Sequence, residues 1–415
     1  MWQSSSPNEL HWRRAIILVD MNAFFASIEQ LDHPEWRGRA LAVTNGKQGT
    51  CIITCSYEAR AFGVKTGMRL PEARRLCPDL VQVPADPERY VTVSRDIMSA
   101  LNAVTPDIEI FSIDEAFLDV TRCQMLHGSP EKMGRMVKKI IYDVSGLQCS
   151  VGVSGDKTTA KYAAKLQKPD GMTVIEPWEA KERLRRVPVT ALCGIKSGIG
   201  GFLARHGVLV CGDMERIPIS IVAKRFGNMG RRIWYMCQGA DPDPVHTKVA
   251  GPKSMGHGKV MPPHTRAPQV IETYLMHMCE KLGARLRHHH YRAQHFYIGV
   301  RSYDFGWLGR VSQTLQPTQD GREIYSLGTF ILAQCWQGQS VCQIQVTALD
   351  PGSDGLQLDF FVEPDPKRGK VNHVMDDIND RFGDFTIAPV PLLFRSAMPN
   401  VIAPAWKPDG HRQTI

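Results

Sequence analysis

The sequence predicts an α+β fold, in which a mixed domain of strands and helices is followed by further domains. The chain has 415 residues, enough for two to four domains of ordinary size. Short apolar runs alternate with helical patterns as far as about residue 178. A basic helical segment and a second β-rich segment follow, and the chain has no internal repeat.

The N-terminal elements follow from apolar patterning and from turn residues. The run at 15–19 predicts a buried strand that ends at Asp20. Residues 108–120 predict a hairpin whose turn carries Asp114 and Glu115. Further predicted elements are strands at 51–54 and 149–153 and helices at 22–30, 57–63, 71–76, 132–144 and 158–166.

The C-terminal half is predicted in coarser terms. Residues 179–248 have a helical pattern, and Gly and Pro at 251–254 indicate a linker. Beyond the linker we predict a helix at 268–287 and strands at 296–300 and 341–348, followed by a Pro-rich tail.

Composition excludes several classes of protein. The hydrophobic fraction is 43% and the charged fraction 22%, as in globular proteins. The apolar run at 15–19 is too short for a membrane helix or a signal peptide, so we expect a cytoplasmic location and no membrane partner. The 11 Cys include no CxxC pair, which favours free thiols over zinc binding.

Positive charge is concentrated in one third of the chain. Residues 179–310 contain 21 Lys and Arg against 9 Asp and Glu, a net charge of +12. The whole chain has a net charge of +8, so the remainder carries −4. A localised basic surface is typical of polyanion binding, because neutralised phosphates release counterions. The alternative is a solvated surface that keeps the chain soluble.

Three carboxylates lie at predicted strand ends: Asp20, Asp114 and Glu115. A carboxylate at the edge of a buried strand is costly to desolvate unless it is paired or binds a cation. Together the three would form a hard-oxygen site suited to Mg²⁺. A solvent-facing hairpin turn would explain Asp114 and Glu115 equally well.

Other residues have the chemistry of phosphate binding. Tyr57 and Arg60 are three apart on one predicted helix and should share a face, and Lys161 lies on a short helix after a strand. The segment Gly198, Ile199 and Gly200 predicts a hairpin between helices whose backbone N–H groups can meet a phosphate. The alternatives are ordinary surface side chains and a plain helix–helix turn.

Four segments in order resemble the motifs of Y-family, or translesion, DNA polymerases. Residues 17–29 are similar to the first carboxylate motif, 56–68 to the fingers motif, 112–119 to the second carboxylate motif, and 151–171 to the third palm motif. Strong resemblance covers about residues 15–210. Weaker resemblance, in the manner of bacterial polymerase IV and polymerase V catalytic subunits, extends to about residue 385.

The resemblance implies a right-hand architecture with palm, fingers, helical thumb and β-sheet little finger. The implied domains are palm at 14–22 and 88–178, fingers at 23–87, thumb with helix-hairpin-helix at 179–248, linker at 249–254, little finger at 255–365 and C-terminal tail at 366–415.

The resemblance also implies residue roles. Asp20, Asp114 and Glu115 would be catalytic and would hold two Mg²⁺ ions with the Met21 carbonyl. Phe25 would be the steric gate that excludes a ribose 2′-hydroxyl. The incoming dNTP would be held by Thr54, Tyr57, Arg60 and Lys161, and the DNA backbone by Gly198, Ile199 and Gly200.

The implied activity is error-prone, template-directed synthesis on primer–template DNA, by a monomer without proofreading. One rival is a non-catalytic Y-family scaffold, although such proteins typically lose the carboxylates. A second rival is another palm enzyme such as a nucleotidyl cyclase, which needs no basic grip on a duplex.

A short segment near the end of the implied little finger resembles the sliding-clamp-binding peptide of bacterial polymerases. It consists of Gln357, Leu358, Asp359, Phe360 and Phe361. The alternative is a plain β-strand. Asn22 stands where many relatives have a second Asp, which resembles polymerase V, so subfamily and accessory subunits stay open.

Overall fold

The computed structural model describes residues 12–46, 50–248, 251–353 and 366–394. The chain forms two compact units, an N-terminal unit and a C-terminal unit, with the boundary after Val249. None of the described helices is both long enough and apolar enough to cross a membrane.

Within the described ranges, the largest sheet of the N-terminal unit has five strands and is named the central sheet. Its strands in spatial order are β5 (Ile108–Ile110), β6 (Glu115–Asp119), β1 (Ile16–Met21), β7 (Cys149–Ser154) and β8 (Met172–Val174). Neighbouring strands are antiparallel except β7 and β8, which are parallel. The sheet confirms the predicted hairpin and both strands that flank β1.

Helices of the N-terminal unit surround this sheet and continue beyond it. Their bounds are α1 (Phe24–Asp32), α2 (Tyr57–Ala61), α3 (Leu70–Leu76), α4 (Pro87–Ala100), α5 (Gln124–His127), α6 (Pro130–Ser145), α7 (Lys157–Leu166), α8 (Ala180–Leu184), α9 (Ser197–Arg205) and α10 (Ile219–Met236).

Strand β1 is apolar throughout because both faces of the central sheet are covered. Ile17 and Val19 pack into a core with α4 and α6, whereas Ile16 and Leu18 pack with Ala160 of α7 on the other face. Successive side chains of a strand point to opposite faces, so a doubly covered strand reads as a continuous apolar run. Asp20 is therefore a buried carboxylate in an otherwise apolar strand, one residue before the strand ends at Met21.

A second, smaller sheet follows α1. Its order is β3 (Ile52–Cys55), β2 (Leu41–Thr44) and β4 (Val81–Pro84). Helix α1 packs on both sheets, because Phe24 and Ile28 enter the central core while Ala26 packs against the small sheet. The residues just after β1 are therefore held between the two sheets.

The predicted hairpin at Gly198, Ile199 and Gly200 is wrong. These residues form the first turn of α9, where the Gly200 N–H donates to the Lys196 carbonyl. The turn before the helix contains Gly194 at a φ of 85°, a left-handed conformation that glycine adopts without strain. A Cβ on Gly200 would approach the Thr190 side chain to 2.6 Å, so this glycine serves close packing.

The main sheet of the C-terminal unit has the order β11 (Gly306–Thr318), β10 (Tyr291–Ser302), β12 (Val341–Ala348) and β9 (Met255–Thr265). A short strand, β13 (Gly352–Ser353), also pairs with β10. Helices α11 (Pro268–His288) and α12 (Gly321–Cys335) pack on the face that buries Phe296, Ile298 and Val300.

Part of the segment assigned to a C-terminal tail is helical. Helix α13 (Pro366–Phe382) is joined to the C-terminal unit by two ion pairs between side chains, Arg287 with Asp376 and Asp320 with Arg368. From the sequence, this tail was described only by its prolines. Apart from Pro366, the first residue of α13, the prolines of the tail lie after the helix.

Candidate active site

The three predicted carboxylates lie at one edge of the central sheet. Asp20 of β1 is the direct cross-strand neighbour of Glu115 of β6. Asp114 precedes Glu115, and its carbonyl accepts a hydrogen bond of 2.9 Å from the Met21 N–H. Facing residues of an antiparallel pair are about 5 Å apart at Cα, so register alone brings these carboxylates together.

They line a cavity of about 290 Å³ between the central and small sheets. The central sheet and α1 supply most of its wall, and β3, α2, the loop after α2 and the turn after α7 supply the rest. The lining residues are Asp20, Met21, Ala23, Phe24, Phe25, Ile53, Thr54, Arg60, Thr66, Asp114, Glu115 and Lys168. Seven predicted site residues are therefore gathered in one cavity.

The negative charges of this cavity are costly to bury. Burial raises the pKa of Asp114, against a hydrogen bond of 2.5 Å from the Ser112 hydroxyl. Burial also raises the pKa of Glu115 to about 7; Lys161 opposes the rise and Asp20 adds to it. The surroundings of Asp114 and Glu115 thus solvate their negative charge less well than water does.

Two lysines neutralise part of this charge. The Lys161 ammonium donates to Glu115 at 2.6 Å and lies 4.2 Å from the centre of the Phe111 ring. Lys168 forms an ion pair with Asp20. Lysine Nζ atoms thus contact two of the three carboxylates that were predicted to bind metal.

The donor set fits a hard divalent cation in chemistry. It offers three carboxylates and backbone oxygen, the ligands that such ions prefer. Across the residues that the structure describes, no three Asp, Glu, His or Cys side chains already form a ligand cage. Each lysine engages one oxygen of its carboxylate, so a cation that takes both oxygens of Asp20 or of Glu115 has to displace that lysine.

Phe25 stands beside the carboxylates on α1. Its half-buried ring lines the cavity and stacks on Tyr90 of α4, with ring centroids 4.3 Å apart and an angle of 11° between the planes. Ala23, at a φ of 46°, turns the chain sharply between β1 and α1. That turn places Phe25 on the cavity side.

The predicted phosphate-binding residues are only partly gathered. Thr54 and Arg60 line the cavity, but Tyr57 and Lys161 do not. The Arg60 guanidinium lies 4.7 Å from the centre of the Tyr57 ring, which confirms the shared helical face. The Tyr57 hydroxyl is buried and has no hydrogen-bond partner within the described chain.

Lys161 is positioned by a well-capped helix. The Asp156 carboxylate accepts hydrogen bonds from the backbone N–H and the hydroxyl of Thr159, at 2.9 and 2.7 Å. At the same end of α7, the Lys157 ammonium pairs with Glu109 and Asp243 at 2.7 and 2.8 Å. The cap stabilises the first turn of α7, and the Lys157–Glu109 pair joins that turn to β5 of the central sheet.

Several site residues were missed from the sequence. Lys168 was placed only within the third palm motif and Thr66 only within the fingers motif, with no role at the site for either. Tyr90, which supports Phe25, and Glu29, which bonds Tyr90, carry no local pattern that singles them out. The predicted clamp-binding residues, Gln357, Leu358, Asp359, Phe360 and Phe361, lie outside the described residues.

Comparison with known proteins gives a consistent result. Residues 19–165 match the model of the impB/mucB/samB family, and residues 252–360 match the model of that family's C-terminal domain. DNA polymerase IV of Moorella thermoacetica is 33% identical over 381 residues, which cover 90% of this chain and 94% of that protein. DNA polymerase IV of Pelotomaculum thermopropionicum is 31% identical over 380 residues, with the same coverage of both chains.

The fold agrees with these relatives. A solved Y-family DNA polymerase chimera superposes with a TM-score of 0.69 at 26% identity, covering 80% of this chain and 98% of that chain. The polymerase IV relatives also answer the question of subfamily that Asn22 had left open. The chain belongs to the impB/mucB/samB family and is a Y-family, translesion DNA polymerase of the polymerase IV type.

Proposed function

We propose that this enzyme adds dNTPs to a primer 3′-hydroxyl by two-metal-ion nucleotidyl transfer, during translesion synthesis in DNA repair and damage tolerance. The observation that carries the proposal is the pairing of Asp20 with Glu115 across β1 and β6, beside Asp114. A cavity that also contains Arg60 offers carboxylates for cations and a cation for phosphate.

Membership of this family implies dependence on a divalent metal and the use of primer–template DNA and dNTPs. We propose that the metal is Mg²⁺, bound as two ions by Asp20, Asp114, Glu115 and the Met21 carbonyl. When bound, such ions lower the pKa of the primer hydroxyl and neutralise the departing pyrophosphate.

Among the residues that would hold the nucleotide, Lys161 pairs with Glu115, and the Arg60 guanidinium lies over the Tyr57 ring. Lys161 leaves Glu115 and turns to the triphosphate, because phosphate oxygens offer it more charge than one carboxylate. Arg60 contributes its forked donors, and Thr54 and Tyr57 add hydroxyls. The unpartnered, buried Tyr57 hydroxyl supports a role toward a ligand.

Phe25 acts as the steric gate. Its ring is backed by Tyr90 and faces the cavity, so it has no room to retreat from a ribose 2′-hydroxyl. This packing supports selection of deoxyribonucleotides by exclusion.

The domain roles follow the family pattern. We assign the central sheet to the palm (14–22 and 88–178), the small sheet to the fingers (23–87), residues 179–248 to the thumb and 255–365 to the little finger. Gly198 and Ile199 would contact a DNA phosphate through the N-terminus of α9, where the first N–H groups have no intrahelical acceptor. The excess of positive charge over 179–310 supports a sequence-independent grip on phosphates.

Further partners are proposed from sequence alone. Residues 357–361 would bind the bacterial sliding clamp, and accessory subunits are possible partners of the monomer. We propose synthesis of low fidelity, because the sequence shows no second carboxylate cluster of the kind a proofreading exonuclease needs.

The non-catalytic scaffold is the weaker alternative. A scaffold has no use for the desolvation cost of Asp114 and Glu115, whose pKa values are both raised by burial. The cyclase alternative does not account for the polymerase IV relatives, which match 90% of the chain.

Primer extension with Mg²⁺ and dNTPs tests the proposed chemistry. Asp114→Ala and Glu115→Ala should each lower the extension rate at least about a hundredfold and leave DNA affinity unchanged. Glu131→Ala, which removes an exposed carboxylate on α6, is the matched control and should extend normally. Extension by the Asp114 and Glu115 variants at the wild-type rate would rule out the two-metal assignment.

A further inference from the structure

The hairpin of β10 and β11 ends in a well-defined three-residue loop. Ser302 and Gly306 are paired across the hairpin, so Tyr303, Asp304 and Phe305 form the loop. Gly306 has a φ of 70°, as expected for a short hairpin loop that closes on a left-handed residue. The Ser302 hydroxyl accepts a hydrogen bond of 3.3 Å from the Asp304 N–H, which holds the loop in one conformation.

This loop exposes aromatic rings. The exposed fractions are 55% for Tyr303, 66% for Phe305 and 39% for Trp307, the second residue of β11. Hairpin loops usually carry small and polar residues, whose chemistry suits the turn. Several large rings exposed within five residues therefore indicate a contact surface, which we name the aromatic loop (Tyr303, Phe305 and Trp307).

Neighbouring side chains extend the aromatic loop. The His264 ring lies 5.1 Å from the Tyr303 ring, tilted by 32°, and His264 has a left-handed φ of 60°. Such a conformation is uncommon for a residue other than glycine and is worth attention as a functional feature. Arg301 lies directly opposite Trp307 across the hairpin, on the face away from α11 and α12.

The charge of the surrounding strands favours a polyanionic ligand. The described strands β9 to β12 contain no Asp or Glu, whereas they contain four Lys and Arg. The nearest carboxylate in sequence is Asp304, within the loop itself. Proteins bind single-stranded nucleic acid through surfaces of this kind, because bases stack on exposed aromatic rings and an arginine pairs with the phosphate backbone.

We propose that the aromatic loop stacks against unpaired nucleobases of the template strand, with Arg301 meeting a neighbouring phosphate. The inference rests on the proposed function, since a template-directed polymerase works on DNA whose template strand extends beyond the primer as a single strand. Bases within a duplex are already stacked and offer no free face, so this contact is distinct from a grip on duplex phosphates. Ring stacking tolerates every base, which suits an enzyme that must accept any template.

Fluorescence anisotropy with labelled primer–template, without dNTPs, tests the inference. We compare templates that share one duplex and carry a ten-nucleotide overhang with bases, the same overhang made abasic, or a single-nucleotide overhang. Wild type should bind the base-containing overhang about tenfold more tightly than the abasic one. Tyr303→Ala/Phe305→Ala should lose this difference, and Tyr303→Phe/Phe305→Tyr should retain it because both rings remain.

The matched control is Phe330→Ala, which removes an exposed ring on α12 and should behave as wild type. Equal affinity of wild type and the double alanine variant for the base-containing overhang would overturn the inference and leave a protein partner as the use of the rings. Primer extension on the single-nucleotide overhang is scored separately. Failure of extension by wild type would count against the proposed function. Normal extension, together with equal overhang affinity in wild type and the double alanine variant, would count only against the proposed role of the aromatic loop.

Discussion

Phe25 lies flat against Tyr90, with ring centroids 4.3 Å apart and only 11° between the ring planes. The Tyr90 side chain is fully buried, and its hydroxyl donates to the Glu29 carboxylate at 2.5 Å. Phe25 is therefore supported from outside the cavity by a ring that is itself fixed by a buried hydrogen bond. This stack joins α1 to α4, and it makes the position of the proposed gate a property of the core.

Removing the gate ring should admit ribonucleotides. We expect Phe25→Ala to raise the ribonucleotide-to-deoxyribonucleotide ratio of kcat/KM at least about tenfold, because a missing ring opens room for the 2′-hydroxyl. Single-nucleotide insertion kinetics measure this ratio. Phe62→Ala, which removes an exposed ring just after α2, is the control and should discriminate as wild type does. An unchanged ratio in Phe25→Ala would remove the gate assignment.

Loss of the Tyr90 hydroxyl should affect stability and spare discrimination. Burial already raises the pKa of Glu29, and the hydrogen bond from Tyr90 opposes that rise. We expect Tyr90→Phe to cost about 1–3 kcal/mol in the free energy of unfolding at pH 7, because Glu29 loses a buried donor. The cost should shrink at pH 4.5, because a carboxyl whose pKa is raised above its ordinary value is largely protonated there. Urea unfolding at both pH values measures it, and an equal cost at both would contradict this account.

The cap of α7 should make stability depend on pH. Burial raises the pKa of Asp156 from 3.8 to about 6, because the carboxylate is desolvated. A carboxyl whose pKa is higher in the folded state than in the unfolded state binds its proton more tightly when folded. Its contribution to the free energy of unfolding is therefore present at low pH and is lost as the pH rises from about 4 through 6. Asp156→Asn keeps an acceptor for Thr159 and cannot titrate. Relative to wild type, the variant should therefore gain about 3 kcal/mol between pH 3.5 and pH 7.

Chemical denaturation of wild type and Asp156→Asn across this range tests the claim. Parallel stability curves for the two proteins would show that Asp156 titrates as an ordinary exposed carboxylate.

Lys168 should compete with divalent cations for Asp20. The two side chains form an ion pair at the cavity, so Lys168→Met should free the carboxylate and leave the site more negative. We expect a several-fold gain in Mg²⁺ affinity, measured by isothermal titration calorimetry without DNA. Removing one positive charge close to the ion changes the electrostatic interaction energy by about 1 kcal/mol or more. Lys165→Met, at an exposed position of α7, should leave the affinity unchanged. A weaker affinity in Lys168→Met would show that this lysine supports the ion.

Much of the central sheet follows from local sequence. Side-chain period specifies the strands, as in the apolar run before Asp20 and the alternation around Ile108. Backbone freedom specifies the end of α6, where Gly146 has a left-handed φ of 68°. The hairpin at Gly198 was predicted wrongly because that prediction also relied on local sequence alone. Glycine marks turns well, but here Gly194 made the turn, and the later glycines allow α9 to pack closely.

The sequence by itself determined which chemistry this protein carries. Carboxylates at strand ends, a Tyr and an Arg on one helical face, and an aromatic residue two positions after Ala23 are local patterns, and local patterns are legible in a chain. Tertiary structure alone decided which cations neutralise those carboxylates and which ring backs Phe25. Lys161, Lys168 and Tyr90 lie 46, 148 and 65 positions from Glu115, Asp20 and Phe25 in the chain. Contacts over such separations depend on how strands register and helices pack, which no local period encodes.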